Sequence, residues 1–150
     1  MRVIKLVTVI VLAGCAPTAY GPSNGLGGQG YSGKQVAEDT WEVTFRSNDR
    51  TAEGFAASAA LYRSAELVHA AGFPYFQVLK SRGTTTMIGV GGTAGRSIGE
   101  TIYLKVRGSR APNAQLVCEN EDGRGCRTVV TEAILRELGP VVRNMAPPAS

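Results

Sequence analysis

Apolar and polar positions alternate over residues 40–46: Trp41, Val43 and Phe45 take one parity, Glu42, Thr44 and Arg46 the other. A period of two marks a strand with one buried face. The polar run Ser47-Asn48-Asp49-Arg50 then makes a turn. Thr51 is a candidate N-cap whose hydroxyl would accept an orphan N–H, and Glu53 suits the positive end of a helix. From 52 to 71 the period lengthens to that of a helix. Ala57, Leu61, Ser64, Ala65 and Val68 share one face, with Ala59, Arg63, Glu66 and Ala70 opposite. Small residues on the buried face would let this helix approach a sheet closely. Gly72 is placed to cap its C-terminus, and Pro74 stops any continuation.

Residues 75–80 return as a second strand, and a strand, crossover helix and strand in one sheet should run parallel with a right-handed connection. Residues 84–90 read as a short strand leading into Gly91-Gly92, and 100–107 as an alternating strand with Ile102, Leu104 and Val106 inward. A turn over 108–113 and a short strand over 115–118 follow. Residues 128–138 form a second helix with Val130, Ile134 and Leu138 on one face, which Gly139-Pro140 ends or kinks. The expectation is an α+β domain over residues 34–145. It has two layers, a small mixed β-sheet packed against two helices in the order β-α-β-β-β-α, with a frayed end at 146–150.

The N-terminal stretch changes the picture. Arg2 and Lys5 supply a basic start, and 6–13 is an apolar run interrupted only by Thr8. It is far short of the roughly 20 residues a membrane span needs, so residues 1–14 read as an export signal. The run ends in Leu12-Ala13-Gly14-Cys15, which looks like the bacterial lipoprotein box. That resemblance implies a signal peptidase recognising Leu12, Ala13 and Gly14, and a Cys15 thiol joined to diacylglycerol. Cleavage before Cys15 would free its amine for a further acyl chain such as palmitate. Two or more chains hold a protein firmly to a membrane. Ala16 stands where an inner-membrane retention signal would usually be Asp, so the outer membrane, facing the periplasm, is the expected location. Residues 16–33 are rich in Gly, Pro, Ser and Asn and lack apolar periodicity. With Cys15 they are expected to form a flexible tether over 15–33.

Charge narrows the partners. The chain carries 16 Lys+Arg and 12 Asp+Glu, a formal net charge of +4. Arg2 and Lys5 leave with the signal, so little electrostatic case remains for nucleic acid. With Cys15 lipidated, Cys118 and Cys126 remain as one pair in a disulfide-permitting compartment. They enclose the polar loop Glu119-Asn120-Glu121-Asp122-Gly123-Arg124-Gly125. Thiol catalysis favours a tighter Cys-x-x-Cys, zinc needs more ligands than this neighbourhood offers, and the acidic spacing is not that of an EF-hand loop.

Two further stretches suggest chemistry and then lose it. Gly89-Val90-Gly91-Gly92-Thr93-Ala94-Gly95-Arg96 hints at a phosphate cradle, but a helix should follow the glycines and a strand-like run follows instead. His69 is the one histidine, at the edge of the helix's buried face near Tyr62 and Glu66, without a nucleophilic partner in view. Arg63 and Glu66 stand three apart, spaced for an ion pair or for holding the 47–50 turn against the helix. No catalytic residue, metal or cofactor is predicted.

From Gly30 to Phe76 the chain resembles a family of small Gram-negative envelope lipoproteins of unassigned function. The resemblance is carried by Gly30-Tyr31-Ser32, Val43-Thr44-Phe45-Arg46, Asn48, Thr51, Leu61-Tyr62-Arg63-Ser64-Ala65-Glu66-Leu67, Gly72, Tyr75 and Phe76. The chain departs from it at Ser47, where the family has Gly, and at Trp41-Glu42, where it has Tyr-Arg. About a third of the chain carries the match. It implies location and architecture, and no catalytic residue. The expected function is therefore a lipid-anchored protein with a binding or structural role in the envelope. Peptidoglycan, another envelope protein and a lipid stay open as partners. The rivals are an envelope redox or stress sensor using Cys118 and Cys126, and a small hydrolase built on His69.

Overall fold

The computed structural model describes residues 16–23, 28–89 and 96–144. Residues 1–15, with Leu12, Ala13, Gly14 and Cys15, lie outside that set, as do the Gly91-Gly92 stretch and the expected frayed end at 146–150. The strand read from the Trp41/Val43/Phe45 alternation forms as β2, Thr40–Arg46. Its inward residues are fully or almost fully buried, and the helix that follows it packs against this strand. Ahead of it, β1 (Gly30–Ala37) pairs antiparallel through a turn at Glu38-Asp39. After β2 come α1 (Phe55–Ala70), β3 (Tyr75–Ile88), β4 (Arg96–Ser109), β5 (Arg127–Val130) and α2 (Thr131–Asn144).

Among the described residues these strands form one five-stranded sheet in the order β1-β2-β4-β3-β5. The protein is a two-layer α+β fold, as the sequence pattern leads one to expect. The sheet is not mixed, however, for every strand pairs antiparallel with its neighbours. β2 and β3 run in the same direction across the α1 crossover, but β4 doubles back from β3 and inserts between them. The slot left by the crossover is filled by an antiparallel strand. Residues 84–90 do not make a separate strand, since β3 runs on from Tyr75 to Ile88 against an equally long β4. Residues 115–118 are loop, and Gln115 O accepts from Arg107 Nη2 at 3.0 Å. Gln77, wholly buried, donates to Ala114 O at 2.8 Å and accepts from Arg107 at 2.7 Å.

α1 starts after Gly54, whose φ of 78° has no side-chain cap to help it, so Thr51 is not the N-cap. Its C-terminus is closed as Gly72 predicts. The Gly72 N–H donates to His69 O at 2.9 Å and the Phe73 N–H to Val68 O at 3.2 Å. With Gly72 at φ +80°, this is a Schellman cap with Phe73 and Val68 both in the apolar cluster. Ser64, Ala65 and Val68 are buried, but so are Ala56, Ala59 and Ala60, while Ala57 is exposed. The wider stripe has a simple cause: α1 packs against the sheet on one side and α2 on another. α2 begins at Thr131, with Val130 in β5, and continues through Gly139-Pro140 to Asn144. Val142 beyond the proline is wholly buried. That burial offsets the helix hydrogen bond that Pro140 cannot make.

Candidate functional site

The residues after Cys15 are not a free tether where they are described. Residues 16–23 form a strap packed against the start of β1, the 47–51 turn and α1. Thr18 is only 5% exposed. Its N–H donates to Thr51 Oγ1 at 3.0 Å, and its hydroxyl donates to Gln29 Oε1 at 3.0 Å and accepts from the Asn48 N–H at 2.9 Å. Asn48 Nδ2 donates to Ala16 O at 2.8 Å. The Asn48 Oδ1 accepts from the Arg50 N–H and the Thr51 hydroxyl, at 3.1 and 2.9 Å, which fixes the orientation of the amide. Farther along, the Tyr31 N–H donates to Gly21 O at 2.8 Å and the Ser23 N–H to Tyr31 O at 2.7 Å. This close approach requires Gly30: at φ +103° a Cβ there would lie 2.5 Å from Gly21 O.

Tyr20 is the strap's anchor point. Its ring centroid lies 4.9 Å from that of Tyr31, 5.4 Å from Tyr62 and 6.5 Å from Phe45. Its hydroxyl donates to Glu66 Oε2, which also accepts from Arg63 Nη1 at 2.9 Å. The Arg63 guanidinium stacks over the Tyr31 ring at 4.4 Å, and its buried Nε has no hydrogen-bond partner among the described residues. Burial first, and then the Glu66 hydrogen bond and charge, push the Tyr20 phenol well above the usual tyrosine range. Burial works against the charge of Arg63, but hydrogen bonding and attraction to Glu66 outweigh it and raise the arginine. At neutral pH the cluster is therefore a neutral phenol tied to an ion pair, which is a clasp.

Asn48 and Thr51 thus hold Ala16 and Thr18, while Tyr62, Arg63 and Glu66 gather around Tyr20. The 63/66 pair does not hold the 47–50 turn against the helix; both the pair and the turn grip the strap. Gly72, Tyr75 and Phe76 lie at the other end of α1, where Gly72 forms the cap, Tyr75 opens β3 and Phe76 is core. The pattern gives no hint of Thr18 as a partner, and Tyr20 with Tyr31 suggests at most a local docking. The one available signal was a pair of tyrosines in a stretch otherwise composed of linker residues.

Other candidates sit apart from the clasp. The sulfurs of Cys118 and Cys126 lie at disulfide distance, 2.02 Å. Their loop is tied to β3 by the Glu119 N–H on Leu79 O at 2.7 Å and the Ser81 N–H on Asn120 Oδ1 at 3.1 Å. A cleft of about 390 Å³ opens between α1, α2 and the sheet, walled by Leu61, Val78, Ile102, Leu104 and Leu138 with Arg82 and Arg127 among its lining. His69 is exposed, not packed at a boundary, and lines a smaller hollow with Tyr75 and Glu132. The Thr131 hydroxyl in that hollow donates to Phe73 O at 3.0 Å. Among the described residues no cluster of three or more His, Cys, Asp or Glu could hold a metal ion, and no helix is long and apolar enough to cross a membrane.

Comparisons with protein-family models, curated proteins and solved structures find no match to this chain.

Proposed function

We propose that this chain is a lipoprotein of the bacterial cell envelope, held at the outer membrane by acyl chains on Cys15 and facing the periplasm. Its domain acts by binding or as a structural part, without a catalytic step. The clasp is the observation that carries this reading. Fixing backbone costs roughly 1–2 kcal/mol per residue, and the residues clamped here are those that begin immediately after Cys15. Holding them has a clear use when residue 15 is a membrane anchor, because the clamp then sets where the domain sits. The Leu12-Ala13-Gly14-Cys15 box and the resemblance centred on Tyr62, Arg63 and Glu66 point the same way. The apolar cleft supplies a surface suited to binding.

The test is the intact mass of the membrane-extracted protein beside a Cys15→Ala variant. The expected mass is that of a chain beginning at Cys15 plus diacylglyceryl and acyl groups, with Cys15→Ala unacylated. A wild-type chain that is soluble and carries no acyl mass overturns the reading.

The Cys118–Cys126 loop favours a second reading, a redox or stress sensor. The loop is bonded to β3 on both sides of Lys80, so opening the bridge would be felt at the sheet. A bridge that stays oxidised in glutathione buffers at the poise of the envelope removes it.

A further inference from the structure

We infer that the cleft between α1, α2 and the sheet binds a single-chain aliphatic carboxylate, a fatty acid, with its tail between the apolar walls and its head on Arg127. This gives the binding role proposed above a ligand class and rests on that role.

The cleft comes from a mismatch in side-chain size. Its walls are Leu61 of α1, Leu138 of α2, and Val78, Ile102 and Leu104 of the sheet. Leu61, Ile102 and Leu138 pack on the core yet stay only partly buried. The residues that could close the gap are small: Ala57 and Ser58 on α1, Gly83 on β3 and Gly125 in the disulfide loop. Protein interiors pack as densely as organic crystals, so an apolar hollow of about 390 Å³ leaves wall surface without contacts. Small-molecule sites span about 300–1,000 Å³, and this one lies at the small end, suited to one chain.

The walls select the tail. Val78 is paired on both sides, with Val106 in β4 and Arg127 in β5, so the sheet has no free edge here for an added peptide strand. The Ser81 hydroxyl already accepts from Asn120 Nδ2 at 3.3 Å. What remains is mostly hydrocarbon, which favours a chain without polar groups of its own.

Charge selects the head. Arg127 stands opposite Val78, and directly paired residues share a face of the sheet. Arg127 is therefore on the helix-covered side, where it lines the cleft. Arg82 also borders the cleft, but its register with Tyr103 puts its side chain on the other face. Arg127 is exposed and has no hydrogen bond or ion pair among the described residues, whereas Arg63 and Lys105 have Glu66 and Glu119. No Asp or Glu lines the cleft. A guanidinium meets a carboxylate with two parallel N–H donors, so an anionic head gains at this rim what a neutral one does not.

The test uses the full acylated protein in phosphatidylcholine vesicles, with dodecanoic acid carrying a diazirine at its tail end. After photolysis, peptide mass spectrometry locates the adducts. They should fall on residues 57–61, 102–104 and 138, one probe per chain. Excess dodecanoate should lower the labelling about fivefold or more, and excess dodecanol less than about twofold. Arg127→Gln should lower it by about the same factor as dodecanoate. Ala57→Trp, at an exposed helix position, should abolish it by filling the cleft. Should Arg127→Gln not fold, the contrast between dodecanoate and dodecanol on wild type decides alone. Labelling spread over the surface overturns the inference. So does cleft labelling that dodecanol displaces as well as dodecanoate, or that a folded Arg127→Gln leaves intact. The same spectra read the acyl mass on Cys15. Acylated protein without cleft adducts sinks the inference while the anchor stands, and cleft adducts on an unacylated chain sink the anchor while the ligand stands.

Discussion

The Tyr20 hydroxyl donates to the carboxylate of Glu66, 46 residues later in the chain, and Arg63 donates to the same oxygen. One carboxylate thus joins the strap to α1. Tyr20→Phe removes the bond and leaves the ring contacts, so it should lower stability by about 1–2 kcal/mol. Tyr20→Ala also removes an aromatic ring packed on Tyr31 and Tyr62, and should cost about 3 kcal/mol or more. Urea unfolding followed by fluorescence measures both. Equal losses for the two variants would show that the ring packing is not what holds the strap.

The same bond gives the fold an alkaline limit. The Tyr20 phenol is raised above its ordinary value of 10.0, chiefly by burial and then by Glu66, and Tyr103 is pushed up to about 12 by burial and its hydrogen bond to Glu42. A group that holds its proton more tightly when folded stabilises the fold fully below its unfolded pKa. That contribution is lost as pH rises above about 10 toward the folded value. Stability should be flat from neutral pH to about 10 and then fall. The fall should be shallower in Tyr20→Phe, by urea midpoints read at a series of pH values.

Asn48 links the turn to the strap through its side-chain amide and its backbone N–H. Asn48→Ala should cost about 1–2 kcal/mol. Its larger effect should be local, with the amides of residues 18–23 exchanging at least about tenfold faster while those of β2 and β4 stay protected. Hydrogen exchange with mass spectrometry reads this. Uniform acceleration across the sheet would mean that Asn48 supports the whole fold and not the strap.

Gly99 sits at φ +152° against Ser47, where a Cβ would come within 2.1 Å of a backbone oxygen. Gly99→Ala should therefore destabilise strongly, by roughly 3 kcal/mol, and loosen the hairpin from the 47–51 turn. Gly89 has ordinary φ and open space around it, so Gly89→Ala should be within about 0.5 kcal/mol of wild type. Thermal unfolding of the pair separates a backbone-contact requirement from a general need for glycine.

The Cys118–Cys126 bridge closes a loop with a sequence separation of 8. The double variant Cys118→Ala, Cys126→Ala should lose about 2.5 kcal/mol by chain-entropy reckoning. Exchange should increase at Leu79 and Ser81, and the strap should be unaffected. Loss of strap protection in this variant would couple the bridge to the clasp and strengthen the sensor reading.

Local patterns were legible where the chemistry is local. The alternation of Trp41, Val43 and Phe45 meets one buried face, and Gly72 followed by Pro74 marks the end of α1. Leu104 and Val106 point inward as their parity says. Thr51 misled because its hydroxyl had a better use: the helix starts three residues later and Thr51 receives Thr18. Val130 has helical spacing with Ile134, but pairing with Tyr75 draws it into β5. Gly139-Pro140 looks like a stop. The buried Val142 shows that packing on α1 outweighs the lost backbone bond.

The sequence by itself determined the class of the domain, its helices and most of its strands, and the pairing of the two late cysteines. Those follow from periodicity, turn chemistry and composition, which act over a few residues. Only the tertiary structure decided that β4 enters between β2 and β3, and that residues 16–23 are a strap rather than a tether. Both depend on contacts between residues tens of positions apart. In the strap the composition argues for disorder, yet Tyr20 and Thr18 find partners that exist only once the turn and α1 are in place. A segment too polar to bury itself is ordered by a surface built elsewhere in the chain.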